Sequence, residues 1–187
     1  MKARLLVVLL ICTFNIGCAT ISGNTPAEQK QSVNKMKNEV LTELFKVKPT
    51  TRSQVSNAPG YAVFSNVNVN VVFASFGGGY GYAKNNKTGK VYYMRMGELG
   101  FGLGLGAKDF RAVFVFHNRK TFDDFIKYGW SFGGNADAAA KLDEKGGAAS
   151  AEGVLSDVTV YQFTKNGLAL QATLKGTKYW LDEDLNK

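Results

Sequence analysis

The hydrophobic period of this chain changes once, and that change limits what it can fold into. Val33, Met36, Val40, Leu41, Leu44 and Phe45 recur at spacings of three and four, which puts them on one stripe of a helix. From Tyr61 onward the apolar residues are largely β-branched or aromatic and the period falls to two, the pattern of strands. A helix followed by a run of strands gives an α+β fold. Its expected sheet is mainly antiparallel, Gly-rich, and sandwich or barrel-like. The length of 187 residues suits one such domain, since domains usually run to about 100–150 residues. No internal repeat and no interdomain linker interrupts the pattern.

Local signals place the elements. Thr25 as N-cap, Pro26 at the first position and Glu28 in the first turn open the helix, and Pro49 ends it. Thr51 is expected to cap a second short helix over 52–57, followed by the turn Ala58-Pro59-Gly60. Strands are expected at Tyr61–Phe64 and Val69–Phe76, with Gly77-Gly78-Gly79 breaking the run and Tyr80-Gly81-Tyr82 resuming it. A hairpin connection at Asn85–Gly89 leads to a strand over Lys90–Met96. Further strands are expected at Leu99–Ala107, Ala112–Phe116 and Trp130–Ala140. Val158–Thr164 and Leu168–Lys175 form a closing hairpin around Lys165-Asn166-Gly167, where Asn-Gly suits a tight turn. Thr121–Tyr128 reads as a short helix, Tyr179–Leu185 as a turn of helix, and Leu142–Gly153 as a long loop or irregular strand.

The first residues alter the charge count. Met1-Lys2-Ala3-Arg4 and the apolar run from Leu5 form a basic region and a hydrophobic one. That run is shorter than the about 20 apolar residues a bilayer-crossing helix needs, so residues 1–17 read as a signal peptide. Ile16-Gly17-Cys18-Ala19 resembles a bacterial lipobox, which makes Cys18 the expected lipidation site and residues 18–27 a lipidated tether. Ala19 after the cysteine suggests export to the outer membrane, with the domain of residues 28–187 on the periplasmic face. Cys12 leaves with the signal peptide, so the expected mature chain has no free thiol. Removing Lys2 and Arg4 takes the 23 basic residues to 21 against 15 acidic ones, which turns a formal +8 into +6. Half of that excess lies between anchor and sheet, where Lys30, Lys35, Lys37, Lys46, Lys48 and Arg52 face Glu28, Glu39 and Glu43.

Chemistry is sparse. His117 is the single His and cannot build a His-rich metal site. Its expected role is at a strand end, bonded to backbone or water. The acidic groups Asp123-Asp124, Asp143-Glu144 and Asp182-Glu183-Asp184 have no calcium-loop spacing and are expected on the surface. No Walker pattern follows the glycines. A hydrolase would need a nucleophile elbow, a metal set or a second His. The expectation is therefore a protein that is not an enzyme and holds no metal or cofactor. Nucleic acid is disfavoured, because the basic residues do not cluster with aromatics. A basic amphipathic helix can lie on an anionic bilayer, which makes Lys30, Lys35, Lys37, Lys46 and Lys48 candidate head-group contacts. Over Leu99–Ala107 the glycines Gly100, Gly102, Gly104 and Gly106 alternate with Leu99, Phe101, Leu103 and Leu105. Glycine sits in a strand where something approaches its backbone. This face is the candidate for an acyl chain or a packed helix.

Four segments resemble a known family. Ala58-Pro59-Gly60-Tyr61-Ala62-Val63-Phe64-Ser65-Asn66-Val67 resembles the A-x-G-I-A-V-F-P-x-V opening of the SYLF domain, and Phe101–Ala107 resembles its F-G-L-Q-x-G-A strand. Ala112–Phe116, then Phe132-Gly133-Gly134-Asn135-Ala136-Asp137-Ala138, then Asn166-Gly167-Leu168 follow in the family's order. The resemblance spans about Pro26–Lys175, with Ser65 in place of Pro and Gly104 in place of Gln. It implies an exported, lipid-binding lipoprotein. Eukaryotic members bind phosphoinositide membranes and some bind actin, but phosphoinositide specificity does not carry over to a bacterial envelope. The expected function is thus a membrane-anchored lipoprotein that binds membrane phospholipid or another amphiphile. The alternative is a structural or adaptor lipoprotein binding another envelope protein through exposed aromatics such as Tyr92, Tyr179 or Trp180.

Overall fold

The computed structural model of the protein describes residues 21–71, 74–101, 106–131, 152–155, 157–164, 167–168 and 177–187. Helix α1 (Pro26–Val47) starts with a capping box. The Glu28 backbone N–H donates to Thr25 Oγ1 at 3.2 Å, and the Thr25 backbone N–H donates to Glu28 Oε2 at 3.1 Å. Two of the helix's orphan donors are thereby satisfied. Backbone N–H groups of Asn24 and then Thr25 hold the Glu28 carboxyl below its ordinary pKa. Helix α2 (Thr51–Asn57) begins one residue earlier than expected. Thr51 is not its cap. Its hydroxyl turns back and donates to the Lys48 carbonyl at 2.6 Å, which ties the two helices together.

The strands are β1 (Gly60–Val71), β2 (Ala74–Asn85), β3 (Val91–Phe101), β4 (Gly106–Phe116), β5 (Trp130–Ser131), β6 (Glu152–Leu155), β7 (Val158–Thr164), β8 (Gly167–Leu168) and β9 (Thr177–Leu181). Helix α3 (Arg119–Tyr128) lies between β4 and β5 and is capped by the Asn118 side chain. All pairings are antiparallel, in the order β5-β9-β3-β2-β1-β4-β7-β6 with β8 on β7. The fold is α+β, as the period change requires.

Several expected boundaries shift. Val69–Phe76 is not one strand: Val69 pairs with Phe76 and Val71 with Ala74, so it is the end of a hairpin. Gly77-Gly78-Gly79 does not break β2 but runs inside it. Leu99–Ala107 is divided between β3 and β4, with β2 and β1 between them. Thr177–Leu181 is a strand on β3, not a turn of helix. Of Trp130–Ala140 and Leu168–Lys175, only Trp130–Ser131 and Gly167–Leu168 lie within the described residues. The region 142–151 lies outside them, and Glu152–Leu155 is strand β6.

Both faces of the central strands are buried, which explains why Ala112–Phe116 is apolar at every position. Val113 and Val115 face α1 together with Tyr61, Val63, Tyr82 and Tyr161. Against them α1 sets Val33, Met36, Val40 and Leu44, each contributing roughly 1.5–3 kcal/mol on burial. Ala112, Phe114 and Phe116 face the other way, with Phe64 of β1 and with Phe122 and Phe125 of α3. Here the sheet curls. Strands β4 and β9 are four places apart in the order, which in a flat sheet means roughly 19 Å. Yet the Phe114 and Tyr179 ring centroids are 5.0 Å apart, and those of Phe64 and Tyr179 are 4.6 Å apart. The sheet is a half-barrel wrapped around an aromatic core. At Gly81 a Cβ would overlap the Phe64 ring, so the glycine lets that ring lie across β2. Gly129 ends α3 at φ +67° against the Tyr179 carbonyl, a conformation open to glycine.

Candidate functional site

The five candidate lysines do not form one outward cluster. Lys30 Nζ sits 5.4 Å from the Tyr93 ring, Lys37 Nζ 5.1 Å from Tyr82, and Lys48 Nζ 5.2 Å from Tyr161. The spacings of seven and eighteen residues explain this. At 3.6 residues per turn they bring the three lysines to within about 20° of one another around the helix. The tyrosines belong to one transverse row of the sheet, through the pairs Tyr161–Val113, Val113–Val63, Val63–Tyr82 and Tyr82–Tyr93. A stripe of cations thus lies along a row of ring faces, each contact contributing about 0.5–1 kcal/mol. Lys35 and Lys46 are exposed elsewhere on the helix.

The seam between α1 and the sheet is half-buried and rich in hydroxyls. Tyr61 and Tyr82 are 7% and 5% exposed, with ring centroids 6.1 Å apart. Burial, and then the neighbouring Tyr82, push the Tyr61 phenol far above its ordinary pKa, so it remains protonated. Asn34 Nδ2 donates to Tyr93 Oη at 3.4 Å. Lys84 stands opposite Tyr61 in the β1–β2 register. Burial first, and the charge on Lys84 second, pull the Lys37 ammonium below its ordinary pKa.

On another side of α1, Arg111 of β4 reaches Glu43, and these two line a shallow depression with Asn38, Glu39, Thr42 and Lys46. The Tyr161 hydroxyl donates to Gln54 Oε1 of α2. Inside the half-barrel, Gln162 is 1% exposed, and its amide oxygen and nitrogen have no hydrogen-bond partner. Its position was legible, because it shares the strand parity of Val158 and Val160, both inward.

The other expected sites are placed as follows. Gly100 lies in β3 opposite Ser75, and Gly106 in β4 opposite Asn70. They therefore sit on different strands rather than on one glycine face. Gly102 and Gly104 lie outside the described residues, as do residues 1–17, Cys18 and Asp143-Glu144. His117 closes β4, its Nε2 2.8 Å from Thr159 Oγ1 and its backbone N–H donating to the Asp157 carbonyl at 2.7 Å. Asp123 and Asp124 form i,i+4 pairs with Arg119 and Lys120 on the exposed face of α3. Asp182 corrects the surface expectation for its cluster. It is 2% exposed, accepts from Arg95 Nε at 2.7 Å, and also accepts from the Asp184 and Leu185 backbone N–H groups. Tyr179 is fully buried and Tyr92 and Trp180 are half-buried, so the expected adaptor aromatics are not an exposed set. Among the described residues, the large exposed aromatic is Tyr128, 70% exposed. Among the described residues, no three His, Cys, Asp or Glu side chains are grouped to hold a metal. No described helix is long and apolar enough to cross a membrane.

Residues 97–187 match the family described as Ysc84, Las17-binding protein actin regulator. That match agrees with the SYLF motifs of the sequence. The chain is also 32% identical over 170 residues to Beta cell expansion factor A of Aeromonas veronii, covering 89% of this chain and 62% of that protein. The chain thus spans less than two thirds of that relative's length.

Proposed function

We propose that this protein is a non-catalytic lipoprotein that binds phospholipid or another amphiphile. In this reading a lipid on Cys18 holds it to the outer membrane, on the periplasmic face. The observation that carries the reading is the placement of Lys35 and Lys46, exposed on the helix that follows the Cys18 tether. Acyl anchoring brings that helix to the bilayer, and each basic residue near an anionic surface contributes about 1 kcal/mol. Among the described residues the apolar face of α1 is engaged by the sheet, which leaves charge as the contribution of Lys35 and Lys46.

Co-sedimentation of the Cys18→Ser chain with vesicles tests this. Phosphatidylglycerol vesicles should pellet it and phosphatidylcholine vesicles should not, and Lys35→Glu with Lys46→Glu should cut the difference. Equal pelleting with both lipids removes the electrostatic contact. Tyr128 supports a second reading, an adaptor for another envelope protein, because an exposed tyrosine at a helix end is a common interface anchor. Capture of a specific partner that is lost in Tyr128→Ser favours that reading.

A further inference from the structure

Lys30, Lys37 and Lys84 share one property. None of them is ion-paired with a carboxylate among the described residues, although Lys37 and Lys84 are close enough to repel. By contrast, four other cations that meet the protein surface or its core each reach a carboxylate: Arg95 has Asp182, Arg111 has Glu43, Arg119 has Asp123 and Lys120 has Asp124. Like charges brought together at a half-buried seam cost free energy unless an anion sits between them. Two aromatic hydroxyls, on Tyr61 and Tyr82, lie in the same seam and are themselves nearly buried.

We propose that the seam between α1 and strands β1–β2 is a phosphate-binding site, formed by Lys37 and Lys84 with the hydroxyls of Tyr61 and Tyr82. Lys30 stands two helical turns away as an outer cation. Cross-strand geometry assembles the site: Tyr61 faces Lys84 directly, and Tyr82 is the next residue but one along β2. The side chain of Lys37 arrives from the helix above, over the Tyr82 ring. A phosphate group suits this set better than a carboxylate. It carries up to two negative charges against two ammonium groups, and it offers three or four oxygens to donors arriving from helix and sheet. The site is distinct from the outward Lys35 and Lys46, and it stands whether or not those residues touch a membrane.

The test uses the Cys18→Ser chain and inorganic phosphate, titrated at constant ionic strength and followed by thermal unfolding. Phosphate should raise Tm saturably, as a ligand of the folded state does. Lys37→Met and Lys84→Met should each weaken the half-saturation concentration about 10- to 100-fold, the scale of a lost charge-assisted hydrogen bond. Lys178→Met, at an exposed position on β9, should leave it unchanged. Both methionine variants keep the aliphatic stem and relieve repulsion, so their Tm without phosphate should hold or rise, which separates lost binding from lost folding. A non-saturating rise, or an equal rise in all variants, overturns the proposal. A second arm names the source of the phosphate, using phosphatidic acid vesicles in excess phosphatidylcholine. Pelleting lost in Lys37→Met identifies a lipid head group. Saturable phosphate binding with pelleting unaffected by Lys37→Met identifies a free phosphate or phosphoester.

Discussion

The two faces of the same sheet are held by different physics. The inner face is dry and aromatic: Phe64, Phe114, Phe116, Phe122 and Phe125 are all fully buried and meet one another, Tyr179 and Trp130 at ring separations of 4.6–6.5 Å. The outer face has an apolar centre under α1, but its margin is a row of tyrosines under lysines. Aromatic packing closes the half-barrel and fixes its curvature. At that margin Lys30 and Lys37 meet no carboxylate among the described residues, which is what a surface kept for an anion should do. Rigidity and recognition are thereby assigned to opposite sides of strands only one residue thick.

Breaking the inner face should have the largest effect. Phe114→Ala removes a ring that touches Phe64, Phe116, Phe125, Trp130 and Tyr179. It should cost about 3–5 kcal/mol, read as a lower urea midpoint. Gly81→Ala drives a methyl group into the Phe64 ring and should cost about 1–3 kcal/mol. A wild-type midpoint for Gly81→Ala would mean that the ring does not lie across β2. Next in size is the helix cap. Thr25→Ala should cost about 1 kcal/mol and show as faster amide exchange in the first turn of α1, with the inner face unaffected.

The smallest effect should have the opposite sign. The folded-state pKa of Lys37 is depressed by burial and by Lys84, so the folded state binds its proton less readily than the unfolded state. The penalty is present at neutral pH, shrinks as pH rises from the folded value towards the unfolded value of about 10.5, and is gone above it. Lys30, Lys84, Tyr61 and Tyr82 also face this seam, so the comparison must be with Lys37→Met rather than with an absolute curve. Relative to that variant, the wild type should gain stability on alkaline titration. A difference that does not change with pH breaks the assignment of Lys37 to a strained seam.

How much of this was legible depended on whether the partner was near in sequence. Helix α1 was read from its own spacing and from Thr25, Pro26 and Glu28, all within one turn. β7 was read at its observed bounds, Val158–Thr164, because alternation and its flanks agree. The hairpin between β1 and β2 was not, because Val72 and Phe73 carry no turn chemistry and the apolar pattern runs straight across them. Gly77-Gly78-Gly79 read as a break because the role of Gly79 lies on the neighbouring strand, where the Ser65 carbonyl and Asn66 occupy the space a Cβ would take. Asp182 read as surface because Arg95, its partner, is 87 residues away. For the candidate site, the lysines were visible as a basic helix face. Their division into three over tyrosines and two facing solvent was not, because it depends on which sheet row lies beneath the helix. Lys84 was missed altogether, since nothing in the local pattern of β2 links it to α1.

Hydrogen exchange on the Cys18→Ser chain, with and without phosphatidic acid vesicles, compares the two faces in one experiment. The account predicts added protection in α1 and at the Tyr61 and Lys84 ends of β1 and β2, with β4 around Phe114 and helix α3 unchanged. Protection confined to α3, or none in α1, would contradict the assignment of recognition to the lysine–tyrosine face.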